Sequence, residues 1–82
     1  MTIQAKFSSS ELAGKLRDGA YDMPDGASVK MLMDEAQRET GFILTADQVE
    51  SCVYVFDNSP ATKETPLYDG GKLRVLFKIL GG

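Results

Sequence analysis

The sequence predicts an α+β domain in which a mixed sheet of four to five strands carries one main helix, about residues 28–40, across one face. Three observations predict it. Residues 2–7 and 73–80 alternate in the period of two that marks a strand with one buried face. Val29, Leu32, Met33 and Ala36 recur at i, i+3, i+4 and i+7, the spacing of a helix with one apolar stripe. Residues 50–56 are rich in β-branched and aromatic side chains.

Taken in order, the first strand sets Ile3, Ala5 and Phe7 on one side and Thr2, Gln4 and Lys6 on the other. Ser8-Ser9-Ser10 breaks that alternation. Glu11 to Arg17 then reads as a short helical turn, with Leu12 and Leu16 four apart, before Asp18-Gly19 turns the chain. Tyr21 and Met23 flank Asp22 in a second strand, ended by Pro24-Asp25-Gly26, and the two strands read as a hairpin.

Ser28 suits the N-cap of the helix, because its hydroxyl can accept from an amide of the first turn that has no intrahelical partner. Gly41 suits the left-handed residue that ends a helix. Lys30 with Asp34, and Asp34 with Arg38, are spaced to pair on the outer face. Glu35 and Glu39 could be read as acid/base carboxylates, but the chain has no His and the pattern shows no cleft, so they are assigned to a solvated face.

Phe42, Ile43 and Leu44 return to the core. Thr45-Ala46-Asp47-Gln48 matches a capping box and predicts a brief helical turn. A third strand follows over Glu50 to Phe56, with Val53 and Val55 on one face and Cys52, Tyr54 and Phe56 on the other. Asp57-Asn58-Ser59-Pro60 reads as a turn, and 61–66 as irregular with at most a short edge strand. Leu67 and Tyr68 are expected under the sheet. Asp69-Gly70-Gly71 turns the chain into the last strand, where Leu73, Val75, Phe77 and Ile79 face the core. Arg74, Leu76, Lys78 and Leu80 share the opposite face, which leaves Leu76 and Leu80 exposed. The order strand, strand, helix, strand, irregular segment, strand, with the last strand beside the first, is a β-grasp arrangement.

Composition bounds the function classes. Eighty-two residues make one domain near the lower limit for a core without staples. One cysteine and no histidine exclude an intrachain disulfide and leave no zinc or iron–sulfur constellation. A net charge of −3 without a basic stripe argues against nucleic acid. No run of about 18 apolar residues and no leader-like start occur, so the chain reads as soluble and cytoplasmic, with no membrane partner. Gly70-Gly71-Lys72 is no phosphate loop, since the upstream glycine, the Ser/Thr and the following helix are all missing. Cys52 has no histidine to activate it and reads as a small hydrophobe.

The sequence closes on Gly81-Gly82 directly after its strongest apolar strand. Without Cβ atoms such an end can enter a slot too narrow for side chains. Two terminal glycines arise by chance in roughly one chain in 200, so the pair is informative only with its platform. Met23-Pro24-Asp25-Gly26-Ala27-Ser28-Val29 before the helix, Thr65-Pro66-Leu67-Tyr68-Asp69-Gly70 before the last strand, and Gly81-Gly82 occur in matching order across the chain. Together they resemble the small sulfur carrier proteins of the MoaD/ThiS family, the molybdopterin synthase small subunit and the thiamine-pathway carrier.

The resemblance implies a ubiquitin-like β-grasp over residues 1–80 with a flexible tail at 81–82. It also implies an activity. An E1-like adenylating enzyme uses ATP to convert the carboxylate of Gly82 into an acyl-adenylate, a sulfur donor converts that to a thiocarboxylate, and an acceptor synthase subunit receives the sulfur. No bound cofactor is implied; ATP belongs to the partner enzyme. Gly82 is then the reacting residue and Gly81 gives access, while Leu76, framed by Arg74 and Lys78 and followed by Leu80, matches the family's partner surface. Departures from the pattern are Asp57-Asn58-Ser59-Pro60 where the family often has Asn-Gly, Gly71 where it often has an acid, and Phe77-Lys78-Ile79 where the molybdopterin subunit usually has prolines. Length favours the molybdopterin branch and the Ile79-Leu80-Gly81-Gly82 ending the thiamine branch. A protein modifier conjugated through Gly82 and a plain interaction domain are the readings from other classes.

Overall fold

The structure, a computed structural model, describes residues 1–78. The expectations for Ile79, Leu80, Gly81 and Gly82 lie outside the described residues. The elements are β1 (Thr2–Phe7), β2 (Gly19–Asp22), α1 (Val29–Thr40), α2 (Ala46–Ser51), β3 (Cys52–Phe56), β4 (Ser59–Ala61) and β5 (Lys72–Phe77). They build one five-stranded sheet in the order β2-β1-β5-β3-β4. β5 lies centrally, parallel to β1 and antiparallel to β3, and both outer pairs are antiparallel. The last strand thus reaches its neighbour β1 only by a connection that includes α1.

α1 forms where its caps and stripe are read. Ser28 Oγ accepts from Met31 N, and Gly41, at φ 76°, closes the other end by donating its N–H to Gln37 O. Such a cap is worth about 1 kcal/mol. Two first-turn amides have partners elsewhere: Val29 N donates to Thr65 O at 3.0 Å and Lys30 N to Lys63 O at 2.9 Å. The segment before β5 is therefore stitched to the start of the helix. Val29, Leu32, Met33 and Ala36 are buried with Ile3, Ala5, Phe7, Leu73 and Val75 in one core.

Several expectations need correction. Glu11 to Arg17 forms no continuous helix but two successive single turns, closed by Ala13 N donating to Ser9 O and Leu16 N to Leu12 O, with Gly14 at φ 78° inside the second; Leu12 and Leu16 are both buried. β2 begins at Gly19, which opens the strand instead of turning the chain, and it stops before Met23. The Thr45 capping box forms, but the helix it starts runs through Ser51 and shortens β3 to Cys52–Phe56. The turn after β3 is only Asp57 and Asn58, at φ 49° and 65°; Ser59 and Pro60 already belong to β4. Two positive φ values make the mirror-image turn whose twist suits a hairpin. Pro60 fits because β4 is an edge strand. Leu67 is buried as expected, but Tyr68 is 54% exposed, its ring tilted on Phe56 at 4.7 Å. Arg38 pairs with Glu35 and not with Asp34, which is held by Lys30 at 3.0 Å.

Candidate functional site

The helices cover one face of the sheet, and the alternation of β5 settles what the other face presents. Leu73 and Val75 point into the core, while Lys72 and Arg74 are exposed and Leu76 is half-buried. Register places Leu76 beside Val53, and Arg74 between Val55 of β3 and Lys6 of β1. Gln4 stands beside Lys72 in the next row. Val53 and Val55 are half-buried. The open face is thus an apolar strip of Leu76, Val53 and Val55 flanked by cations. A shallow groove of about 620 Å³ runs across it, lined among others by Gln4, Lys6, Lys72, Arg74 and Val55.

Of the residues that the sequence marks as a partner surface, Arg74 and Leu76 are brought onto this face. Exposed Lys78 follows at the end of β5. Leu80, Gly81 and Gly82 are outside the described residues. Leu76 is less exposed than expected, because Val53 packs beside it across the strand pair.

Two side-chain and backbone contacts escape sequence reading, and they set where β5 leaves the sheet. Phe77 N donates to Ser9 Oγ at 2.6 Å, and Lys78 N donates to Ser51 O at 2.8 Å. Ser8 N donates to Val75 O at 2.9 Å on the same side. The exit of the central strand is clamped from both neighbours immediately before residue 79. The run Ser8-Ser9-Ser10 is visible in the sequence as a pattern break, but its partner 68 residues away is not.

At the opposite end of β5, Asp57 organises the turn. Its Oδ1 accepts from Lys72 N at 2.8 Å and its Oδ2 from the Tyr68 hydroxyl. That hydroxyl, with the Lys72 amide and the Lys72 charge, holds the Asp57 carboxyl below its ordinary range, and Asp57 in turn pushes the Tyr68 phenol up. Gly71 lies tight beneath: a Cβ there would collide with the Phe56 ring and stand 3.1 Å from Tyr68 O. Any side chain at this position would have to displace the Phe56 ring.

The carboxylates weighed as an acid/base pair are not one. Glu35 is bound by Arg38, whose hydrogen bond lowers its pKa, and Glu39 is bound by Arg17 at 3.1 Å. Cys52 sits on the covered face, donating to Gln48 O at 3.4 Å, and burial pushes its thiol up. A thiol so placed is a poor nucleophile at neutral pH. Among the described residues no group of His, Cys, Asp and Glu could hold a metal ion, and no helix is long and apolar enough to cross a membrane.

No protein-family model and no curated protein sequence matches the chain. Solved structures do. SAMP1 from Haloferax volcanii superposes with a TM-score of 0.78 at 17% identity over 100% of both chains. A chain from Pyrococcus furiosus, assigned as molybdopterin converting factor subunit 1, gives 0.72 at 17% identity over 96% of this chain and 99% of that one. A chain in the complex of subunits 1 and 2 of molybdopterin-converting factor from Helicobacter pylori gives 0.57 at 19% identity over 100% of both. At such identities the likeness speaks for architecture, and it extends over the whole length of each chain. The chain has the ubiquitin-like β-grasp fold that the small, MoaD-type molybdopterin-converting subunits share.

Proposed function

We propose that this chain is a sulfur carrier, acting in the cytoplasm as the substrate, not the catalyst, of an E1-like adenylating enzyme. The observation that carries the reading is a β-grasp whose central strand is clamped at Phe77 and Lys78 and is followed in the sequence by Ile79-Leu80-Gly81-Gly82. The reading takes Gly82 as the last residue of the native protein, which an intact mass of that protein checks first.

A carboxylate is a poor acyl donor because its leaving group would be oxide. On the partner enzyme the Gly82 carboxylate attacks the α-phosphate of ATP and pyrophosphate leaves, giving an acyl-adenylate. A sulfide-equivalent nucleophile from the sulfur donor then adds to the acyl carbon, AMP leaves, and the thiocarboxylate remains. The protein contributes reach and recognition, as group carriers do. Gly81 and Gly82 supply the slender approach, and the open face around Leu76, Arg74 and Lys78, joined by Leu80 in the reading of the sequence, supplies the docking surface. Delivery goes to an acceptor synthase subunit of the molybdopterin or thiazole-forming type. The Helicobacter pylori likeness, a complex of subunits 1 and 2, favours the former.

The test is intact-mass spectrometry after incubation with ATP, a sulfide source and the adenylating enzyme of the same organism. Replacement of one oxygen by sulfur, abolished by deleting Gly82, is the expected result. An unchanged mass with an enzyme that is active on ATP would sink the proposal. The same fold and activation also serve a protein modifier. Gly82-to-lysine isopeptides recovered from cells, with no thiocarboxylate, would replace the carrier by that second reading.

A further inference from the structure

β1 ends at Phe7, opposite Val75, while β5 runs two residues further, to Phe77. Ser8 N still donates to Val75 O at 2.9 Å. An evenly running parallel pair would next carry Phe77 N to the carbonyl of Ser8. Here the chain has already turned away, with Ser9 O accepting from Leu12 N at 2.9 Å and Ala13 N at 2.8 Å. Phe77 N donates instead to Ser9 Oγ at 2.6 Å, so a side chain replaces the rung that the turn removes.

Ser9 is held where it stands. Leu12 and Leu16 of its loop are buried in the core, and Asp18 Oδ1 accepts from Phe7 N at 2.8 Å where the loop closes. On the other edge of β5, Cys52 faces Phe77 and Lys78 N donates to Ser51 O at 2.8 Å. Of the three contacts that close the end of β5, from Ser8, Ser9 and Ser51, that of Ser9 alone is made by a side chain, so a single substitution removes it.

Four residues follow Lys78 in the sequence. Four extended residues span at most about 14 Å, and each further residue released from the sheet adds up to about 3.5 Å of tether. Each also adds a backbone conformation to be fixed again before reaction, at about tenfold in rate. In adenylation the Gly82 carboxylate oxygen must meet the α-phosphorus in line with the departing pyrophosphate, and a misplacement of about 1 Å can cost a hundredfold.

We propose that Ser9 is a positioning residue for adenylation, its hydroxyl pinning Phe77 so that the reach to the reacting carboxylate starts at Lys78 and not further back in β5. It acts through Phe77 and not on the reacting atoms. The run Ser8-Ser9-Ser10 thereby acquires a role in the reaction that its sequence, a break in a strand pattern, does not disclose. The inference rests on the sulfur-carrier reading, which supplies the reaction.

The test is single-turnover adenylation of the full chain, read as pyrophosphate release at increasing concentrations of the adenylating enzyme, together with amide hydrogen exchange at Phe77 by NMR. Ser9→Ala keeps the carbonyl that closes the turn and removes only the hydroxyl. It is expected to lower the maximal rate about tenfold and to leave the half-saturating concentration within about twofold, because Arg74 and Leu76 keep their ladders to β1 and β3. Exchange at Phe77 is expected to quicken by about tenfold or more. Ser9→Thr, which keeps a hydroxyl, should restore both the rate and the protection. Ser28→Ala removes the N-cap of α1, a loss of stability of similar size, and should leave the maximal rate unchanged. Faster exchange at Phe77 in Ser9→Ala with a wild-type maximal rate overturns the inference and leaves the carrier reading intact. So do unchanged exchange at Phe77, a fall in rate that Ser28→Ala matches, and a Ser9→Thr protein that protects Phe77 without recovering the rate. A wild type never adenylated overturns both.

Discussion

Lys6 and Phe7 are neighbours in sequence, yet they belong to two surfaces governed by different physics. On the covered face Ile3, Ala5, Phe7, Leu73 and Val75 are almost inaccessible to water, and shape and volume decide which side chains are tolerated. On the open face Gln4, Lys6, Lys72 and Arg74 are solvated and touch no core, so charge and its placement are what can be selected there. The alternation of one strand therefore writes two messages, stability inward and recognition outward. β5 carries both, because it is central: its inward residues join the core and its outward residues reach the middle of the open face.

The widest gap between the faces is expected within β1 itself. Phe7→Ala removes a ring that is 1% exposed and should cost about 3–5 kcal/mol, a large share of what a domain of this size has. Lys6→Ala, one residue away, should change stability by no more than about 0.5 kcal/mol. Urea midpoints of the two variants check the contrast. Equal losses would mean that the open face also holds the fold together.

Gly71 is where the two faces meet at the turn into β5, and it should give the next largest effect. Gly71→Ala forces Phe56 and with it the Tyr68 ring tilted on it to move, at about 1–3 kcal/mol of overpacking. Chemical denaturation and the Tyr fluorescence of the variant report both consequences. A fully stable Gly71→Ala protein would show that Phe56 yields freely.

Local signals in the sequence carried much of this architecture. Ser28, the apolar stripe of α1, Gly41 and the Thr45 capping box all read correctly because each depends on residues within a few positions of itself. The placement of β5 beside β1 was legible too, as part of the β-grasp order, whereas its pairing with β3 on the other side was not. Segment 8–19 was not. Leu12 and Leu16 have helical spacing and are buried, but Gly14 breaks the backbone, and Phe7 N is held by Asp18 across the loop. Pro60 reads as a turn residue and stands in a strand only because that strand is an edge. For the candidate site, the alternation put Arg74 and Leu76 on the open face, whereas Lys6 and Lys72 joined them only through strand register. The clamps from Ser9 and Ser51 likewise require partners distant in sequence.

The smallest expected effect concerns pH and lies at the edge of the open face, where Asp57 and Tyr68 hold each other. The folded-state pKa of Asp57 is lowered, chiefly by the Tyr68 hydroxyl, so its contribution is present above its unfolded value near about 4 and is lost as pH falls through the folded value. The folded-state pKa of Tyr68 is raised, chiefly by Asp57, so its contribution is complete below about 10 and is lost as pH rises through the raised value. The pair stabilises the turn between those limits. Both groups are exposed to solvent, which keeps the effect slight. Melting temperature measured from pH 3 to pH 11 should fall at both ends, and Tyr68→Phe should flatten both flanks while leaving the ring on Phe56 in place. If Tyr68→Phe follows the wild-type profile at both ends, the hydroxyl does not hold the carboxylate in solution, and the turn depends on the Lys72 amide alone.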